Sequence, residues 1–484
     1  MADTEKEEVI PNRDEFFWFN QINKATLVIN TEEGLCPKDE SKNFANAIKS
    51  VIEDGEKPGA PHPKMVIKYE PLLIEKAGPR ITILHVGRSS QDMHSTFRIA
   101  MIRDHAIRLM DALNQTVGAM TAMAEEHKDT LVVNYTNGVA AQPNTLGHYL
   151  CGIMTGFNRD RERLTELVKR YDLCPMGSTV LNGTSWPLNR RRMAAYLGYS
   201  DITHNCLDGT LGINVDMPVE FAEICQSIGL HICTFIQDVS VQYAQSRPWM
   251  LLQEGGENTY VSSAMPQKRN PGLMVNTRTG ASQAIADAGA IILRAHNIIP
   301  GMMDAKAQGA ATTVAKSTIS ALNLLTRVVK ALKVNKDRAL EELNNDWTAS
   351  QELADFLMRE YGLPFRVGHH VASQMVTYAR ANNVYPLDFP YEEMKRIYTE
   401  VIEKEYPQGE KTLPMGEAEF RSLLNPRDIV NRRAVEGGPQ PAAMAKQLAE
   451  QAELNTAYEV WVTKTADSIA AALAKLDQDF TKYL

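Results

Sequence analysis

The stretch from Ser262 to Pro271 reads SSAMPQKRNP and sets two hydroxyls, a lysine and an amide within ten residues, just after Gly255-Gly256-Glu257-Asn258. Three other stretches have the same character. His85 to Asp92 (HVGRSSQD) offers Arg88, whose planar fork suits a carboxylate, beside Ser89, Ser90 and Gln91. Asn134 to Leu150 carries Thr136, Asn137, Gln142 and His148 among small residues. Pro175 to Pro187 (PMGSTVLNGTSWP) makes a polar loop with free backbone N–H groups able to hold an anion. Taken singly, each is equally an ordinary loop, with Ser89 or Ser90 a helix cap and His148 an internally bonded imidazole. Taken together, they supply Arg, Lys, Asn, Ser and Thr without paired carboxylates, a metal-ligand cluster or a glycine-rich nucleotide loop. Donors and cations in that mixture suit a multiply anionic small molecule. The chemistry expected is proton removal with charge stabilisation, without metal or cofactor.

Composition narrows the setting. A chain of 484 residues is expected to form about two to four domains. Aromatics make up only 7% while methionines number 21, a balance that fits helix-on-helix packing better than sandwiches or barrels. The net charge of −8 gives no general electrostatic reason to bind nucleic acid or an acidic membrane. Cys36, Cys151, Cys174, Cys206, Cys225 and Cys233 form no C-x-x-C pair and read as reduced, buried thiols. The charged N-terminus lacks a signal-peptide core, and no uncharged apolar run reaches the ~18 residues of a membrane span. A cytoplasmic protein is expected.

The elements that must position these stretches are long helices. Ile99, Ile102, Ala106, Met110, Leu113, Val117, Met120 and Ala124 recur every three or four residues. Phe221, Ile224, Ile228, Ile232, Phe235 and Val239 repeat the pattern, as does Val314 to Val334 through Ile319, Leu322, Leu325 and Val329. Such rods are expected to bundle side by side. The best strand signals are Met65 to Tyr69 and Thr130 to Val133. Composition changes after His94 and near Gly362-Leu363-Pro364 divide the chain into an N-terminal mixed part (1–95), a central long-helix bundle (96–362) and a C-terminal helical part (363–484).

Residues 262–270 resemble the signature loop G-S-S-x-M-P-x-K-x-N of the fumarase/aspartase superfamily, with Val261 in place of the glycine. The argininosuccinate lyase branch is similar over more of the chain. Its H-T-G-R-S-R-N-D resembles His85 to Asp92, and its A-Q-P-x-T-x-G-H-Y resembles Ala141 to Tyr149. Further blocks resemble Pro175 to Pro187, Asn205 to Asp208, Leu363 to His370 and Arg432 to Gly438, in order. The resemblance implies a mainly α, three-domain subunit with a long central helical bundle, assembled as a homotetramer whose active sites are shared between subunits. It implies a substrate with a succinyl unit and a reaction that yields or consumes fumarate, without cofactor. In that scheme Ser262 is the base that takes a Cβ proton, and Lys268 with the loop amides stabilises its oxyanion. Ser263, Met265 through its backbone, and Asn270 hold carboxylates, with Arg88, Ser89, Gln91, Thr136 and Asn137 nearby and Gln308 toward the amine.

Three departures shape the expected function. The branch has Thr-His where this chain has Thr136-Asn137, and an amide cannot act as an acid near neutral pH. The general acid is left open, with His85 and His148 as substitutes. Ser90 and Gln91 replace an arginine and an asparagine. On the amine side Met303 and Ala311 stand where the branch has tyrosine and lysine, whereas Gln308 aligns. The expectation is a C–N lyase acting on an N-substituted aspartate with another amine, as in ethylenediamine-disuccinate lyase. Behind it stand argininosuccinate cleavage, an adenylosuccinate lyase-like activity, and a non-catalytic, crystallin-like structural protein.

Overall fold

The computed structural model describes residues 9–296, 298–299 and 308–484, and for Gln308 the backbone alone. The chain opens with α1 (Glu15–Glu32), α2 (Lys38–Gly55) and α3 (Val66–Ala77). Trp18, Phe19 and Ile22 of α1 are fully buried, and Tyr69 of α3 donates its hydroxyl to Asn20 Oδ1 at 2.6 Å. Met65 to Tyr69, expected as a strand, instead forms the start of α3. Its β-branched residues invite the strand reading, but the buried positions Val66, Tyr69 and Leu73 follow helical spacing, so burial of that face decides the conformation.

A short 3-10 turn over Pro79–His85 leads into α4 (Ser90–Glu126). With 37 residues, α4 runs about 55 Å. All eight residues of its expected stripe, from Ile99 to Ala124, are buried. The hairpin β1 (Leu131–Thr136) and β2 (Val139–Thr145) then turns the chain into α5 (Leu146–Tyr171). Gly147 lies where α5 crosses the end of α4: a Cβ there would come within 2.7 Å of the Ala124 carbonyl oxygen, so only glycine permits this approach.

The parallel pair β3 (Leu173–Cys174) and β4 (Asp201–Ile202) flanks α6 (Arg190–Tyr196), and α7 (Cys206–Thr210) precedes α8 (Ile213–Tyr243). After α8 come β5 (Met250–Leu252), β6 (Tyr260–Val261), β7 (Arg269–Asn270), α9 (Gly272–Ala295), α10 (Gln308–Ala331) and β8 (Leu332–Val334). The second stripe, Phe221 to Val239, is buried throughout. The third stripe is helical to Ala331, but its last three residues are the strand β8, paired antiparallel with β5. Helices α4, α5, α8, α9 and α10 form the central bundle. Among the described residues, α8 alone is long and apolar enough to cross a membrane, and half of its most apolar window is buried inside the fold. Four of the six thiols are buried; Cys206 and Cys233, expected to be buried, are half-buried.

The remaining helices are α11 (Lys336–Asn345), α12 (Ser350–Tyr361), α13 (Phe365–Asn382), α14 (Tyr391–Glu405), α15 (Glu417–Leu424), α16 (Pro426–Arg432) and α17 (Pro441–Thr481). Trp347 to Ile429 build a second, separate core around Phe389 and Phe420. Helix α17 returns to the first: Met444, Val462, Leu476 and Phe480 are buried with the bundle. Residues 363–484, one part by composition, are thus divided between two cores.

Candidate active site

The site is built from three groups of side chains. The first lies at the N-terminal end of α4. Ser89 caps the helix, accepting the Gln91 N–H at 3.1 Å, while Asp92 Oδ1 accepts the Ser89 N–H at 2.8 Å. The other oxygen of Asp92 accepts the N–H groups of Gly177 and Thr179 at 3.0 and 3.1 Å, and Thr179 Oγ1 donates to the Gly87 carbonyl at 2.8 Å. Two of the polar stretches are therefore tied by one buried carboxylate. Burial raises its pKa, opposed by those same backbone donors. Asp92 also holds Thr179 and Val180 at φ of +44° and +60°, a conformation a β-branched residue adopts only under constraint. The sequence reading did not single out Asp92; a hydroxyl at Ser89 with an acid three residues on was the available signal.

Arg88 is turned into the protein. Its Nη1 donates to Thr26 Oγ1 at 3.1 Å and its Nη2 to Asn23 Oδ1 at 2.7 Å, and burial lowers its pKa to about 10. The cavity beside it, lined in part by Asn30, Met176 and Asn189, measures about 30 Å³, room for a water but not for a dicarboxylate. Gln91 is half-buried on the first turn of α4.

The second group lies at the opposite end of α4. Thr136 pairs with Val139 across a two-residue turn, and Asn137 and Gly138 both have positive φ (+54° and +75°). Asn-Gly is the preferred pair for this turn, so Asn137 has a local structural role. The same dipeptide was the overlooked hairpin signal. Thr136 and Asn137 are exposed. The hairpin rests on α11, where Tyr135 donates to Glu342 and Leu343 packs with Leu131 and Val133. The two candidate substitute acids have partners elsewhere: His85 Nδ1 lies 3.0 Å from Glu70, and His148 Nε2 donates to the Gly437 carbonyl at 2.8 Å.

The third group is the Ser262 stretch. Strands β6 and β7 pair antiparallel, Tyr260 with Asn270 and Val261 with Arg269, and carry residues 262–268 as an exposed tip. Gly255, Gly256 and Glu257, all with positive φ, turn the chain into this hairpin. Ser262 Oγ accepts the N–H groups of Ala264 and Met265 at 3.3 and 3.2 Å. Asn270 Nδ2 donates to the Tyr260 carbonyl at 3.3 Å, and Arg269 braces the tip through the Pro266 carbonyl at 2.8 Å and Glu254 at 3.1 Å. Ser263, Met265 and Lys268 are exposed, and Lys268 makes no ion pair among the described residues. Pro271 precedes α9, whose first turn meets the base of the hairpin, the Leu273 N–H donating to the Asn258 carbonyl at 3.1 Å.

One chain thus gathers Ser262, Ser263, Met265, Lys268 and Asn270 on one hairpin. Thr136 and Asn137 share that end of the bundle: α11 contacts their hairpin and also the segment leading to the tip, where Arg338 donates to the Arg247 carbonyl at 2.9 Å. Arg88, Ser89 and Gln91 lie at the far end of α4. The Gln308 side chain and Met303 lie outside the described residues; Ala311 is buried.

Comparison with known proteins agrees with this architecture. A "Lyase" family model matches residues 64–286, and an "Argininosuccinate lyase C-terminal" model matches 347–431. An argininosuccinate lyase from Caldanaerobacter subterraneus subsp. tengcongensis is 28% identical over 379 residues, 77% of this chain and 84% of its own. One from Oceanobacillus iheyensis is 28% identical over 439 residues, 87% and 88% of the two chains. The crystal structure of EDDS lyase in complex with formate superposes with a TM-score of 0.85 at 23% identity, covering 100% of this chain and 98% of that one. A class II fumarase from Schistosoma mansoni superposes at 0.62 with 13% identity, covering 86% and 90%. With family models matching both the bundle and the second core, and argininosuccinate lyases aligned over 77% and 87% of it, the chain belongs with the argininosuccinate lyases and is a carbon–nitrogen lyase.

Proposed function

We propose that this lyase eliminates an amine from an N-substituted aspartate to give fumarate, or adds the amine to fumarate in reverse, with Ser262 as the base. The observation that carries this reading is the pair of N–H groups on Ser262 Oγ, at 3.2 and 3.3 Å. A serine hydroxyl is a poor base because its conjugate alkoxide is unstable. Two backbone donors and a nearby ammonium stabilise that alkoxide and so lower the cost of forming it.

In the elimination, Ser262 Oγ, having lost its own proton to solvent, removes a proton from the Cβ adjacent to a carboxylate and becomes a hydroxyl again. The electron pair enters that carboxylate, giving a dianionic aci-carboxylate. Lys268, Ser263 and Asn270 supply donors for the substrate's anionic oxygens, while the Met265 N–H stays on Ser262 Oγ. The pair then returns to form the Cα–Cβ double bond, the C–N bond breaks, and the amine takes a proton. Asn137 has no acidic proton to give, so that proton comes from another donor. The exposed hairpin tip, on its positive-φ hinge of Gly255 to Glu257, is free to close over substrate and exclude water.

The complete site needs more than one chain. Ser89 and Gln91 stand about 55 Å along α4 from Thr136 and Asn137, far beyond the reach of a C4 dicarboxylate. Side-by-side packing of bundles from several copies, as a homotetramer, brings opposite ends together. The amine is proposed to differ from arginine, since Ala311 is small and buried where the branch carries a lysine.

The test is fumarate absorbance, followed with a panel of N-substituted aspartates and with amines plus fumarate. Wild type is expected to turn over at least one pair. Ser262→Ala is expected to lose roughly 10³-fold in rate with unchanged folding. Wild-type rates in Ser262→Ala, or an inert wild type, would refute the reading.

A further inference from the structure

The tip that carries Ser262 lies outside the buried cores. Residues 263–268 are exposed, so apolar packing does not fix their conformation and hydrogen bonds must. The backbone contributes two: the Ser262 N–H donates to the Lys268 carbonyl at 3.4 Å, and the Lys268 N–H donates to the Met265 carbonyl at 3.1 Å. Arg269 contributes three more. Its Nη1 donates to the Pro266 carbonyl at 2.8 Å and to the Lys268 carbonyl at 3.3 Å, and its Nε donates to Glu254 Oε2 at 3.1 Å. The Lys268 carbonyl is thus shared between the Ser262 N–H and the Arg269 guanidinium, and a single peptide group joins the two residues.

This arrangement sorts the donors and acceptors of the tip. The Ala264 and Met265 N–H groups turn to Ser262 Oγ, whereas the Pro266 and Lys268 carbonyls turn to the guanidinium. Peptide groups are planar, so a carbonyl held on one partner restricts the N–H groups linked to it along the chain. The two neighbouring cations therefore differ in use. Lys268 makes no ion pair among the described residues and is open to a ligand, while Arg269 is committed to the tip and to Glu254 at its hinge. The Arg269–Glu254 ion pair is partly exposed to solvent and contributes little by itself. The contacts to the two carbonyls are charge-assisted and stronger. An arginine fork also reaches two acceptors at fixed geometry, which a lysine ammonium does not.

Resting on the lyase reading above, we propose that Arg269 is a positioning residue: its guanidinium clamps the Pro266 and Lys268 carbonyls so that the Ala264 and Met265 N–H groups stay on Ser262 Oγ when that oxygen ionises. Arg269 touches neither substrate nor reacting atoms in this role. It acts on the rate through Ser262, by keeping preorganised the two donors that stabilise the alkoxide.

The test is a double-mutant cycle on the full-length protein, with fumarate formation as readout. Arg269→Met is expected to lower kcat roughly ten-fold, about what one charged hydrogen bond contributes, and to leave KM within about two-fold of wild type. Arg269→Lys keeps the charge without the fork and is expected to recover only part of the loss. In a Ser262→Ala background the same Arg269→Met change is expected to cost less than about two-fold, because its effect runs through the missing oxygen. Amide exchange across residues 262–268 is expected to quicken in Arg269→Met while the bundle is unaffected. Unaltered kcat in Arg269→Met, or complete recovery in Arg269→Lys, overturns this inference alone. So does a raised KM at unchanged kcat, or a full loss in the Ser262→Ala background, either of which would put Arg269 on the substrate. A wild type inert toward the whole panel, or wild-type rates in Ser262→Ala, overturns the lyase reading and this inference with it. If Arg269→Met fails to fold, Arg269→Lys decides: a lowered kcat at unchanged KM sustains the clamp, and wild-type kinetics overturns it.

Discussion

Ser262 Oγ accepts the backbone N–H of Met265 at 3.2 Å, so the hydroxyl at the base of the hairpin tip is already directed at a donor three residues on. The tip is exposed and its cation, Lys268, has no ion pair among the described residues. A ligand can therefore engage both without first breaking a salt bridge.

Lys268→Met is expected to raise KM and lower kcat together. Loss of one preorganised charged donor costs roughly 10²-fold in rate. The variant is also expected to respond less to added salt than wild type does. Steady-state kinetics at two salt concentrations checks this, and wild-type kinetics would remove Lys268 from the proposed site.

The separation of the two ends of α4 predicts complementation. Ser262→Ala disables the hairpin end, whereas Gln91→Glu places a like charge against a dicarboxylate at the other end. Each variant alone is expected to be inactive. Mixed subunits, refolded together, are expected to regain activity that neither parent has, because some sites then draw both intact ends from different chains. An inactive mixture of properly assembled oligomers would argue for a site within one chain.

His105 predicts acid sensitivity. Arg108 donates to its Nδ1 at 3.3 Å, so the ring proton lies on Nε2, facing Thr312. Burial and the nearby cations lower its pKa to about 4. The unfolded chain takes up a proton near pH 6.5, whereas the folded chain resists until about pH 4. Stability is therefore full above that window and falls as pH drops through it, by roughly 3 kcal/mol for this group. His105→Gln is expected to flatten that part of the melting-versus-pH curve; an unaltered curve would contradict the assignment.

Asp92→Ala is expected to destabilise the N-terminal part of the fold. It strands the N–H groups of Ser89, Gly177 and Thr179 and releases the constrained Thr179–Val180 turn. Buried unpaired donors of this kind cost about 1–3 kcal/mol each. The check is a lower thermal midpoint together with protease cleavage near Val180; a wild-type midpoint would show that the bridge is dispensable.

Sequence and structure divide the explanation unevenly. The periodicity from Ile99 to Ala124 and from Phe221 to Val239 identified two rods directly, because a helix that buries one face must repeat its apolar residues at 3.6. The Ser262 stretch was legible as chemistry because its residue types are unsuited to a core. Met65 to Tyr69 misled, since residue type favoured a strand while the buried face was decided by contact with α1.

What the sequence by itself determined is local: the rods, the polar stretch that carries Ser262, and the inventory of donors. Only the tertiary structure decided that Asp92 joins two stretches 85 residues apart and that Arg88 turns inward to Asn23. The physical reason is that helical period and turn chemistry act over a few residues. Which buried polar group finds a partner depends on helices brought together from distant parts of the chain.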